Sequence, residues 1–88
     1  MVRDIALVVD TNVSHQQVLD IISSFPLVKE VNLFDVYAGR QVPPGKKSLA
    51  YRITFQSLKH TLTDEEADKV QQKILKKLAN KLGASLRS

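Results

Sequence analysis

Ser48-Leu49-Ala50-Tyr51-Arg52-Ile53-Thr54-Phe55-Gln56-Ser57 alternates without interruption: Leu49, Tyr51, Ile53 and Phe55 fall on one side of an extended chain, and Ser48, Ala50, Arg52, Thr54 and Gln56 on the other. A strand with one apolar face and one small, polar face belongs to a sheet that is covered on one side and open on the other. The neighbouring segments have to supply the cover and the remaining strands.

Upstream, Arg3 to Asp10 carries Ile5, Leu7 and Val9 on one face and Asp4, Ala6 and Val8 on the other, which reads as a first strand. Ser14-His15-Gln16-Gln17 follows, with Val13 before it and Val18 after it. The Ser14 hydroxyl can accept from the third helical amide while Gln17 reaches back, and the two valines can close a hydrophobic staple. The helix so opened carries Val18, Ile21, Ile22 and Phe25 on one stripe, and Pro26 stops it. Val28 to Tyr37 is a second strand with a parity conflict, because Val31 and Leu33 share one face and Phe34 and Val36 the other. A bulge near Leu33 and Phe34 is expected to bring all four to the core and turn Asp35 and Tyr37 outward. Residues 38–47 form a loop with Gly39, Pro43, Pro44 and Gly45 and the cations Arg40, Lys46 and Lys47.

Downstream, Thr63-Asp64-Glu65-Glu66 is a second capping box, and Ala67, Val70, Ile74, Leu78 and Leu82 recur at three- and four-residue steps to Gly83, a natural terminator. Ala84 to Arg87 suffices for a short last strand. The order strand, helix, strand, strand, helix, strand predicts an α+β fold of the ferredoxin-like, split βαβ kind, with two helices on one face of a four-stranded antiparallel sheet and the first and third strands central.

The chain has 88 residues, which is one domain and no more. Hydrophobic residues at 43% and charged residues at 25% exclude a disordered tract, and the absence of cysteine excludes disulfides and thiolate metal sites. No apolar run approaches the roughly 20 residues of a membrane-spanning helix, so a soluble domain without membrane contact is expected. The formal charge of +4 is compatible with nucleic acid, but also with acidic protein partners.

Enzymatic constellations are missing: there is no P-loop, nucleophile elbow or dinucleotide-binding glycine pattern. His15 and His60 lie in polar, exposed stretches without a second histidine at ligand spacing, so no metal site is expected. Asp64, Glu65, Glu66 and Asp68 compensate a helix N-terminus, and Lys69, Lys73, Lys76, Lys77 and Lys81 read as the solvated side of an amphipathic helix. Tyr51 belongs to the apolar register and hence to the core. Tyr37 is different, because the parity shift sends it to the open face with Ala6, Ser48, Ala50 and Arg52. A flat face of small residues edged by one aromatic ring and by Arg40, Lys46, Lys47 and Arg52 suits unstacked bases and phosphates. Packing of Tyr37 over the loop prolines is the alternative.

Five blocks carry a resemblance: Arg3-Asp4-Ile5-Ala6, Leu33-Phe34-Asp35-Val36-Tyr37-Ala38-Gly39, Gly45-Lys46-Lys47-Ser48-Leu49-Ala50-Tyr51-Arg52, Thr61-Leu62-Thr63-Asp64-Glu65-Glu66 and Gly83-Ala84-Ser85-Leu86-Arg87. In this order and spacing the chain resembles the ferredoxin-fold anticodon-binding domain that ends the bacterial phenylalanyl-tRNA synthetase β subunit. The resemblance implies a non-catalytic domain that holds the anticodon stem-loop of the phenylalanine tRNA in the cytoplasm. Aminoacylation would then belong to the α subunit of an α2β2 enzyme that uses ATP and magnesium, with no cofactor in this domain. It also implies that Tyr37 stacks on the first anticodon base while Ala6 and Ser48 flank it. Met1 before Val2-Arg3-Asp4 resembles an introduced start on a monomeric piece cut from a longer subunit. Other functions fit the same element order. An ACT-like small-molecule regulatory module usually has glycine after the first strand, where Asp10-Thr11-Asn12-Val13 has none. Acylphosphatase-like catalysis needs an arginine there, and no arginine follows Arg3 until Arg40. A protein docking domain also remains open.

Overall fold

In a computed structural model that describes residues 1–87, the chain runs β1 (Val2–Asp10), α1 (His15–Ser23), β2 (Val28–Tyr37), β3 (Lys46–Phe55), α2 (Asp64–Leu82) and β4 (Ser85–Leu86). The sheet order is β2-β3-β1-β4 and every neighbouring pair is antiparallel. β3 lies between β1 and β2, so the β1-α1-β2 unit is split, and the ferredoxin-like α+β expectation holds.

Local chemistry starts and stops the helices. Ser14 accepts from the Gln17 amide and the Gln17 side chain accepts from the Ser14 amide, while Thr63 and Glu66 repeat the arrangement on α2. Val13 and Val18 are both buried, as are Leu62 and Ala67, so each box is closed by an apolar pair across the first turn. α1 ends at Ser23, two residues before the expected Phe25, because the Ser24 and Phe25 amides turn back onto Ile21 and Ile22 in a tightened final turn. Gly83 ends α2 at φ 66°, a left-handed conformation that favours glycine.

Both helices cover the same side of the sheet. Ile5, Leu7 and Val9 of β1 and Leu49, Tyr51, Ile53 and Phe55 of β3 meet Val18 and Ile22 of α1 and Ala67, Ile74 and Leu78 of α2. Each fully buried Leu, Ile or Phe contributes about 1.5–3 kcal/mol by leaving water, so these residues supply most of the cohesion. Tyr51 is fully buried, and its hydroxyl shares a 3.1 Å hydrogen bond with His15 Nδ1 beneath a stacked His15 ring. Burial pushes the Tyr51 phenol well above its ordinary pKa. His15, expected to be exposed, is therefore half-buried as a lid on the core tyrosine.

β2 carries the expected bulge. Leu33 stands opposite Tyr51 and Asp35 opposite Ala50, leaving Phe34 without a partner on β3. Val31 and Leu33 pack against the core as expected. Phe34 does not: it is 51% exposed and lies on the open side beneath the Arg52 guanidinium. The inserted residue is absorbed at Phe34 itself, so its side chain is expelled instead of being rotated inward. Val36 returns to the register of Leu49 but stays exposed and lies outside the apolar cluster.

Candidate nucleic-acid interface

On the open side the register lines up residues in rows across the strands. One row runs Tyr37, Ser48, Val8 and Ser85; the next runs Asp35, Ala50 and Ala6 and reaches Arg87, whose amide donates to the Ala6 carbonyl at 2.8 Å. A third holds Asn32, Arg52 and Asp4. Tyr37, Ala6, Ser48 and Arg52 thus share the face on which alternation placed them.

Tyr37 ends β2 with its side chain on this surface, 36% exposed. Its hydroxyl end leans over Gly39, where an added Cβ would lie 2.6 Å from Tyr37 Oη. Glycine is needed here for close approach, not for backbone freedom. The Arg87 guanidinium sits 5.3 Å from the Tyr37 ring centroid, and its nitrogens donate to Ser48 Oγ at 3.3 Å and Gln41 Oε1 at 2.5 Å. Ser48 is consequently only 3% exposed. It stands opposite Tyr37 on β3 and is covered by Arg87, which donates to its hydroxyl. Ala6 and Ala50 are half-buried and leave a shallow floor beside the ring.

The cations divide differently from the sequence expectation. Arg40 is exposed and has no side-chain hydrogen bond or ion pair among the described residues. Lys46 Nζ pairs with Asp10 Oδ1, its cross-strand partner. Lys47 stands opposite Val9, in the register of the helix-covered face, and is half-buried, so it does not edge the open surface. Arg52 Nε and Nη2 donate to the two Asp4 oxygens at 2.9 and 3.1 Å. That hydrogen bond, more than the attraction of charge, lowers the Asp4 pKa and raises that of Arg52. Lys46 and Arg52 therefore carry compensated charge, whereas Arg40 carries free charge.

Arg87 is the residue that sequence reasoning missed. Two strand residues give a weak alternation signal, yet Ser85 opposite Val8 puts Arg87 opposite Ala6 and therefore on the open side. Phe34, read as core, is the second aromatic on this surface.

Other regions offer less. A concavity bounded by Met1, Phe55 and residues 56–62 lies at the end of β3 remote from Tyr37. Among the described residues no three His, Cys, Asp or Glu side chains gather as a metal site, and no helix is long and apolar enough to cross a membrane.

Comparison with known proteins agrees with this fold. The family "Ferredoxin-fold anticodon binding domain" matches residues 1–87. The phenylalanine–tRNA ligase beta subunit of Dehalococcoides mccartyi is 56% identical over 86 residues, which is 98% of this chain and 11% of that protein. The corresponding subunits of Lactococcus lactis and Clostridium acetobutylicum are 45% and 42% identical over 87 residues, in each case 97% of this chain and 11% of the relative. The chain thus spans about a ninth of the length of these curated relatives.

Proposed function

The chain belongs to the ferredoxin-fold anticodon binding domain family, and from that premise we propose that its open sheet face holds the anticodon stem-loop of a phenylalanine tRNA. The observation that carries this reading is the half-open Tyr37 ring, set beside a floor of small residues and held by the Arg87 guanidinium, which itself donates to Ser48. An unpaired base lies on the ring, Ala6 and Ser48 shape the pocket, and Arg40 with the outer edge of Arg87 meets phosphates. Lys46 and Arg52 contribute less to phosphate binding, since Asp10 and Asp4 already neutralise them. Stacking supplies preference among loop sequences, while the phosphate contacts supply most of the affinity and its salt dependence.

The domain binds and does not catalyse. In a full phenylalanine–tRNA ligase it positions the tRNA in the cytoplasm for aminoacylation by the α subunit, which uses ATP and magnesium in an α2β2 assembly. The domain holds no cofactor and is monomeric by itself. Stacking area, small side chains and cations are binding groups, which is the support for assigning it this role.

Fluorescence anisotropy with labelled stem-loops of matched and altered anticodon, at two salt concentrations, tests the reading. Binding should prefer the matched loop and weaken steeply with salt, and Tyr37→Ala should lose about 1–3 kcal/mol with little change in melting temperature. Undetectable or salt-independent binding, or full affinity in Tyr37→Ala, would overturn it.

A further inference from the structure

Phe34 has no role in the core and none in the site described above. The bulge between Leu33 and Asp35 expels it onto the open face, where half of its surface meets solvent. A bulge that re-aims an aromatic side chain outward exposes apolar surface for no gain in packing, and such devices concentrate at functional sites. The Arg52 guanidinium lies 5.1 Å from the Phe34 ring centroid and is fixed there by Asp4 through two hydrogen bonds. With its charge paired and its plane held, Arg52 is better suited to present a stacking surface than to anchor a phosphate.

We infer that Phe34 and Arg52 form a second base-stacking position, which takes an unpaired nucleobase of the same loop next to the one on Tyr37. The inference rests on the proposed function. Aromatic rings and guanidinium planes are the surfaces on which splayed bases of single-stranded loops stack. Phe34 precedes Tyr37 by three residues on one strand, about 10 Å at strand rise, and the alanines Ala6 and Ala50 form the floor beside the row between them. One ring with a low floor and a second ring farther along make a track for consecutive bases. A protein partner would gain nothing from the paired Arg52 and Asp4 at its centre, where interface cores are depleted of charge.

The test uses phenylalanine-anticodon stem-loops with 2-aminopurine at successive loop positions, since stacking quenches its fluorescence. The parent chain should quench at two positions, one lost in Tyr37→Ala and a different one lost in Phe34→Leu, with Phe34→Leu binding about tenfold more weakly. Leucine keeps an apolar side chain at an exposed site, so the fold should persist, and a thermal melt checks it. Should Phe34→Leu fail to fold, Arg52→Gln reads the same loop position and should reduce its quenching. If Tyr37→Ala weakens binding while Phe34→Leu matches the parent in affinity and quenching, the second position is wrong and the proposed function stands. If the parent binds no stem-loop, both fall together.

Discussion

The Arg87 guanidinium lies 5.3 Å from the centroid of the Tyr37 ring, joining the residue after β4 to the last residue of β2 across the top of the sheet. The same group donates to Ser48 and Gln41, so one side chain fixes the ring, closes the serine and ties down the loop after β2. A cation held over an aromatic face is worth about 0.5–1 kcal/mol at an exposed site, enough to bias the orientation of the ring.

Arg87→Lys keeps the charge but loses the planar fork that reaches Ser48 and Gln41 together. Stem-loop affinity should fall by about 1 kcal/mol while the melting temperature stays within a few degrees of the parent, because the residue lies outside the core. Anisotropy and calorimetry on the two proteins check both halves. Equal affinity would mean that the strand alone orients Tyr37.

Gly39→Ala places a methyl group 2.6 Å from Tyr37 Oη and 2.9 Å from Cζ. Gly39 is not among the positive-φ glycines, so alanine meets no backbone strain, and the clash falls on the far end of a rotatable side chain. The ring moves and the fold does not. Stability should change by less than about 1 kcal/mol, whereas stem-loop affinity should drop towards that of Tyr37→Ala. Affinity unchanged in Gly39→Ala would show that the observed ring position is not the one that binds.

A cation on the open face and one off it separate in a salt titration. Each phosphate contact contributes about one unit to the slope of log affinity against log salt, slightly less for single strands. Arg40→Gln should therefore lower the slope by nearly one. Lys47→Gln should leave it almost unchanged, since Lys47 lies in the register of the helix-covered face. Equal effects of the two substitutions would contradict the division of cations on this surface.

Acid should loosen the Arg52 and Asp4 pair. The Arg52 hydrogen bond, ahead of its charge, holds the Asp4 carboxyl below the ordinary carboxylate value. A carboxylate whose folded-state pKa is lowered contributes stability that is present above its unfolded value, near pH 4, and is lost as pH falls through the lowered folded value. Asp4→Asn should therefore flatten the acid limb of stability against pH without abolishing it. Glu66, lowered by its hydrogen bonds with His60 first and the Thr63 amide second, titrates in the same direction. Denaturant midpoints between about pH 2 and pH 6 measure the difference, and identical limbs for parent and variant would show that the pair does not stabilise the fold.

Elements were legible where their causes are local. Two capping boxes, a left-handed glycine and the alternation of β3 each need only a few neighbouring residues, and together they imply the order of elements, the helix-covered face and the burial of Tyr51. Phe34 marks where that reasoning fails. A bulge was legible as a conflict of parity, but which residue it expels depends on pairing with β3, where Tyr51 and Ala50 claim Leu33 and Asp35. The cations fail likewise: Arg40, Lys46, Lys47 and Arg52 look alike along the chain, and only cross-strand partners distinguish them.

The amino-acid order alone determined a split βαβ domain with one bare sheet face, because periodicity and capping act within a turn or a few strand residues. Tertiary structure alone decided that Tyr37 lies on that face with Arg87 against its ring, that Phe34 turns outward, and that Asp4 and Asp10 neutralise two of the expected cations. Those outcomes depend on contacts between residues 15 to 50 positions apart in sequence, and only the sheet register brings them into reach.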